Sequence, residues 1–287
     1  MYWRISLFAA MLAAAGIPLY IHLPRYAATD LGLSLSTVGA VLIGIRLMDF
    51  LQDPLLGRLA DRWPEHRKAL AATGVVGMAA GFLMLFVVPP LTAPTLWLVL
   101  SLVLLFTAFS LANILFYAQG VVIAGKGPAV AHYRLAGFRE TGMLAGVVLA
   151  AIAPSALKAM GAGANTYRDF GLLLAALTLG VGLVTVRLWS PSGARLPEPL
   201  PFVRLFTPDI ARLLLLALVN ALPVAITSTL FLFFVEDRLA LAGMSGPFLL
   251  VFFFSAGVSA PVWSRLVRRH GPKRVLVPAM VLAIAGF

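Results

Sequence analysis

The 287-residue chain is 61% hydrophobic and only 11% charged, with a formal net charge of +11 and no cysteine, and its mean hydropathy is +0.98. Soluble domains carry roughly 25% charged residues, so a water-soluble globular protein is excluded, as are disulfides and cysteine-rich metal sites. The apolar runs reach roughly 20 residues, enough to cross a hydrocarbon core about 30 Å thick, without the alternation of a membrane β-barrel, which leaves an all-α polytopic membrane protein.

In chain order the pattern predicts spans over 5–23, 35–60, 69–90, 94–124, 137–157, 168–190, 209–235 and 246–266, with a further start at 275. The opening "MYWRISLFAAMLAAAGIPLYIH" has the make-up of a signal peptide with Arg4 as its basic flank, but the hydrophobic pattern simply continues beyond it. Residues 1–190 form a predicted six-helix bundle, 191–208 a Pro-rich basic linker, and 209–287 part of a second bundle. After Arg274 only "VLVPAMVLAIAGF" follows, 13 residues, short of the roughly 20 a span needs. The second half is therefore expected to be incomplete, in a truncated chain or a fragment.

Lysine and arginine placement orients the spans. With the N-terminus inside, sixteen basic residues fall on the cytoplasmic side, among them Arg58, Arg62, Arg67, Lys68, Arg134, Arg265 and Arg268. Four (Arg25, Lys158, Arg168, Arg238) fall outside. That distribution explains the net charge as a membrane topology signal and removes the case for nucleic acid. Trp3, Trp97, Trp189 and Trp263 lie near span ends, where interfacial anchors are expected.

The second span carries three charges, in "IRLMDFLQDPLLGRLADR" (45–62). Arg46, Asp49 and Asp53 follow i, i+3, i+7 and project from one helix face. Each costs about 2.5–3.5 kcal/mol near mid-membrane, so all three must face protein and find partners. Arg46 can neutralise one carboxylate; the other is left over. Acids at i, i+4 hold their Cβ atoms about 5–6 Å apart, so their oxygens can converge on one hard cation or share a proton. Pro54 cannot donate to the Phe50 carbonyl, which frees another oxygen nearby. A plain Arg–Asp bridge between helices is the structural alternative. Glycosidase-like chemistry is disfavoured, because two acids on one helix leave little room for a substrate to lie between them.

In the fourth span Ser110, Asn113 and Tyr117 share a face by the same spacing, either lining a cavity or hydrogen-bonding between helices. Tyr117 can stack on a sugar ring or pack in the core. Arg139 offers a fork of donors for hydroxyls or a carboxylate, or anchors its helix at the headgroups. The pairs Gly77/Gly81 and Gly142/Gly146 suit close helix packing. His22, His66, His132 and His270 do not cluster in sequence, and phosphate loops, zinc spacings and nucleophile elbows are missing from the chain. A transporter without a cofactor, not an enzyme, is expected.

The segment "GRLADRWPEHRK" (57–68) resembles the cytoplasmic motif of the major facilitator superfamily. The longer "TDLGLSLSTVGAVLIGIRLMDFLQDPLLGRLADR" (29–62) resembles the glycoside–pentoside–hexuronide:cation symporters, as do "NILFYAQG" (113–120), "HYRLAGFRETGMLAG" (132–146) and "NALPVAITSTLFLFFVEDRL" (220–239). The resemblance implies a major-facilitator-type helix bundle in the plasma (inner) membrane, N-terminus cytoplasmic. It would work by cation-coupled (Na⁺ or H⁺) symport of a sugar or related small polar solute through alternating access. It implies cation binding by Asp49 and Asp53 with Gln52 and Ser110, solute contact by Asn113, Tyr117 and Arg139, and gating by Gly57, Asp61 and Arg62. The family's sugar binders also carry acids on the first helix and at the position held here by Asn113. Their loss from this chain speaks against a melibiose-like galactoside and leaves a pentoside, a hexuronide, another polar solute or a lysolipid-like cargo. An inactive truncated paralogue is the remaining alternative.

Overall fold

A computed structural model describes residues 2–125, 129–161, 165–189, 207–233, 235, 238–241 and 245–285. The linker predicted at 191–208 lies outside the described residues except for its last two. Ten α-helices run through the described residues, which hold no strand: α1 (Tyr2–Ala15), α2 (Ile17–Thr29), α3 (Leu35–Arg62), α4 (Arg67–Phe86), α5 (Pro94–Ala124), α6 (Ala129–Ala159), α7 (Thr166–Thr185), α8 (Pro208–Phe233), α9 (Ser245–His270) and α10 (Pro272–Ala285). Single 3₁₀ turns at Pro64–His66 and Val186–Trp189 extend α4 and α7, so that five stretches are long and apolar enough to cross a membrane: Leu35–Arg62, Pro64–Phe86, Pro94–Ala124, Ala131–Ala159 and Thr166–Trp189.

The span predicted at 5–23 is two helices. Gly16 leaves the helical region at ψ −105° and the second helix restarts with proline in its first turn. Pro18 has no N–H to return to the preceding turn and restricts Ile17 before it, so the ladder of α1 cannot run through. Hydropathy alone passes over such a break, because Gly-Ile-Pro is as apolar as its surroundings.

The chain divides into two compact units, Met1–Ala194 with Ala256–Phe287, and Arg195–Ser255. In the first, the helices meet where side chains are small. A Cβ on Gly142 or Gly146 would collide with the backbone of Ser6 or Ala10 on α1, which fixes the α1–α6 crossing. Gly74, Gly77 and Gly81 of α4 receive Ala112, Ala108 and Leu105 of α5, and Gly171 and Gly182 of α7 receive Phe86 and Val75 of α4. Lipid tails are as apolar as leucine, so close backbone approach and dispersion, rather than hydrophobic burial, drive these contacts. Phe8, Phe82 and Phe170 fill the space between.

Elsewhere the buried polar tips are tied to backbone. Tyr26 donates to the Leu85 carbonyl at 2.7 Å, and the His22 ring meets the Ala151 carbonyl at 3.1 Å. Trp97 and Trp189, expected as interfacial anchors, are instead core residues, 6% and 5% exposed. The indole of Trp97 donates to Met84 O at 3.0 Å, and Trp189 meets Phe8 edge-on at 5.2 Å. An indole at a span end is as readily taken up by a neighbouring helix as by the headgroups. In the second unit, the first turns of α8 present a run of exposed leucines, from Leu213 to Leu218 with Ala217 among them.

Gly146→Ala is expected to destabilise the protein by about 1–3 kcal/mol, because the added methyl overpacks a closed crossing. Gly39→Ala on α3 meets nothing within 4 Å and is expected to be neutral or to stabilise by about 0.4–1 kcal/mol. Thermal unfolding in one detergent should separate the two, and equal midpoints would contradict the crossing.

Candidate transport site

α3 is positioned by its own sequence. Ser34, extended at ψ 147°, accepts the Thr37 N–H at 3.1 Å as N-cap, and Gly32 supplies the φ of +65° that turns the chain out of α2. The helix then runs 28 residues through Pro54 to Arg62. Ile43, Leu47, Phe50, Leu51 and Leu55 share one exposed face, Phe50 at 78%. Val38, Ile45, Asp49 and Ala60 are buried on the other, so Asp49 belongs to the protein-facing side of an otherwise apolar helix.

Asp49, 8% exposed, is held at both oxygens. Arg46 Nη1 approaches Oδ2 at 3.4 Å, and Gln52 Nε2 donates to Oδ1 at 3.0 Å. Gln52 is itself fixed from α5, where Thr107 Oγ1 donates to its Oε1 at 3.0 Å. The Arg46 guanidinium lies 5.9 Å over the Phe106 ring, so its stem and head cover α5 while much of the side chain stays exposed. A relay thus runs from Thr107 through Gln52 to Asp49 and Arg46. Asp53 stands outside it: its Oδ1 is buried with no hydrogen-bond partner among the described residues. One carboxylate is compensated and its neighbour one turn on is not.

The polar face of α5 begins one turn earlier than its sequence reading, at Thr107. Ser110 follows, buried, then Asn113, half-buried, and Tyr117, exposed. The relay ties Thr107 to α3, and Tyr117 is tied to α6: the Arg139 guanidinium lies 4.7 Å over its ring. Arg139 also makes an ion pair with Glu140 at 2.8 Å. Tyr117 and Arg139 border a cavity of about 390 Å³ between α1, α5, α6 and the Val186–Trp189 turn, whose walls include Ile5, Leu135, Leu188 and Trp189. The structure therefore brings Tyr117 and Arg139 together at one end of α5, and Asp49, Gln52 and Thr107 together further along it. Asn113 lies between the two groups on the same helix.

Gly57, Asp61 and Arg62 occupy the last turns of α3. Beyond them Arg67, which reads as one more loop cation, is buried at the start of α4. Its Nη1 lies 3.4 Å from Gln119 Oε1, and Gln119 Nε2 donates to Leu188 O at 2.8 Å. Asp61 is near enough to act on it electrostatically. This clasp joins α4, α5 and the end of α7. Thr107, Arg67 and Gln119 are the residues that sequence reasoning misses. For Thr107 the signal exists, since it sits i−3 from Ser110.

The profile of the MFS/sugar transport protein family matches residues 5–287. The chain belongs to that family. As a family member it is an integral membrane protein of the major facilitator kind and a membrane transporter. No curated protein matches the chain.

The relay predicts coupling between helices. In a double-mutant cycle of Gln52→Leu and Thr107→Val, read by thermal unfolding, the two changes are expected to be non-additive by about 0.5–1.5 kcal/mol. Strict additivity would remove the Thr107–Gln52 link.

Proposed function

We propose that the protein is a secondary transporter that couples entry of a monovalent cation, Na⁺ or H⁺, to movement of a sugar or related small polar solute by alternating access. The observation that carries the proposal is the buried Asp53 Oδ1, without a hydrogen-bond partner among the described residues, one turn from an Asp49 already engaged by Arg46 and Gln52. A second carboxylate beside a compensated one, inside the membrane-spanning part of a transporter, calls for a proton or a cation. The donor set is all oxygen and suits a hard ion. Asp49 and Asp53 would supply the charge. Gln52, whose carbonyl oxygen already faces Thr107, and the buried Ser110 hydroxyl would complete the shell.

Asn113, Tyr117 and Arg139 are proposed to meet the solute. The Tyr117 ring offers a stacking face and Arg139 a fork of donors, although the two already meet in the cation–π contact and Arg139 also donates to Glu140. A solute would have to displace that contact. Neutralising the acid pair from one side of the membrane would favour the solute-binding arrangement. By linkage, the solute then raises cation affinity by the same factor. Gly57, Asp61 and Arg62 would gate the cytoplasmic end, with the N-terminus inside and the protein in the plasma (inner) membrane, as the basic residues suggest. Two helix bundles would rock about the site. A second reading, a lysolipid-like cargo, is favoured by the walls of the Tyr117–Arg139 cavity, which are mainly apolar and aromatic.

Uptake into proteoliposomes tests the proposal. Sugar accumulation should rise with an inward Na⁺ or proton gradient, and Asp53→Asn should abolish that dependence while thermal unfolding confirms a folded protein. Cation dependence surviving in Asp53→Asn would sink the coupling site. Lysophospholipid uptake in place of any sugar would select the second reading.

A further inference from the structure

A second polar cavity lies apart from the Asp49/Asp53 relay. About 540 Å³ opens between α6 and the C-terminal half of α9, lined by Arg134, Thr141, Ser264, Arg265 and Arg268 together with Gly137, Phe138 and Pro261. Three guanidinium groups line it and, among the described residues, no carboxylate does. Among the described residues none of the three forms an ion pair; the acid on this stretch of α6, Glu140, is taken by Arg139.

The other contacts of these side chains hold them in place without neutralising them. Arg134 lies 4.7 Å over the Tyr2 ring, which itself stacks on Phe138 at 5.1 Å. Arg268 Nη1 donates to Ser264 Oγ at 2.8 Å, which leaves the Ser264 hydroxyl proton to be given elsewhere. Gly137 belongs to the same surface: a Cβ there would come 3.4 Å from Ser264 Oγ, so the two helices are close enough to share one small ligand.

Like charges gathered across a helix pair repel, and the three exposed side chains are only partly screened by water at this spacing. The arrangement is stabilised by an anion of matching charge. Guanidinium forks suit phosphate oxygens in bidentate geometry, and the Ser264 hydroxyl adds a donor. We propose that the α6–α9 cavity is a binding site for a phosphate group, held by Arg134, Arg265 and Arg268. The Lys/Arg distribution predicts that this end of the molecule is cytoplasmic. Two sources of phosphate meet there: free inorganic phosphate and the headgroups of anionic lipid.

Thermal unfolding of the purified chain in neutral detergent tests this, with added inorganic phosphate, with the anionic lipid phosphatidylglycerol, and with phosphatidylcholine or chloride as controls. Phosphate or phosphatidylglycerol should raise the midpoint by a few degrees, on the order expected for ligand linkage at saturation. The Arg265→Gln and Arg134→Gln variants should each need about tenfold more ligand for the same rise, as expected for losing one charge-assisted contact. Arg58→Gln, on α3, should bind as the unaltered chain does. A rise with phosphate alone identifies the free ion, and a rise with phosphatidylglycerol alone identifies the lipid. Equal rises with chloride or phosphatidylcholine, or rises that Arg265→Gln and Arg134→Gln leave untouched, would overturn the site. None of these readings depends on transport or on Asp53.

Discussion

A hydrogen-bonding group carried into hydrocarbon must find its partner within the protein, because no water is there to supply one. Much of the arrangement around α3, α4 and α5 answers to that requirement. Thr107 reaches Gln52, Gln52 reaches Asp49, and Arg46 covers the far oxygen. Arg67 reaches Gln119, which in turn reaches the backbone of Leu188. Both chains bridge helices, so the same bonds that satisfy polar groups also fix how α5 lies against its neighbours.

The small-residue crossings make this possible. Gly74, Gly77 and Gly81 draw α4 onto α5 until backbones nearly touch, and only at that separation can Arg67 span to Gln119. Were these positions larger, the helices would stand further apart and the polar side chains would fall short. Packing and polar satisfaction are therefore one design here. The satisfaction is incomplete: among the described residues Asp53 Oδ1, Arg67 Nε and Arg4 Nε are buried with no hydrogen-bond partner, and of these only Asp53 is an acid.

The parts of this that were legible from sequence are those set by local spacing and length. α3 and α5 fall within two residues of their predicted limits, because a long apolar run bounded by Ser34 or by the Pro94 turn has few alternatives. Placing Arg46, Asp49 and Asp53 on one face needed only the helical period. What remained hidden is pairwise and distant. Nothing local to Gln52 announces Thr107, which lies 55 residues away. Arg67 sits in a basic loop pattern and is buried only because Gln119 arrives from another helix. The break at Gly16 is hidden for a different reason: hydropathy averages over a backbone fault that Pro18 creates.

α5 has one further consequence. It is 31 residues without a charged side chain, about 46 Å of helix at 1.5 Å per residue, against a hydrocarbon layer of about 30 Å. No tilt within the usual range of about 0–40° absorbs that mismatch. One end must therefore project into the headgroup layer. If that end is the one carrying Tyr117, its cavity sits at the depth where lipid carbonyls and water mix, and the thickness of the host bilayer sets how far it emerges. The same chain placed in thinner and thicker membranes would then present that cavity differently, with its own fold unchanged.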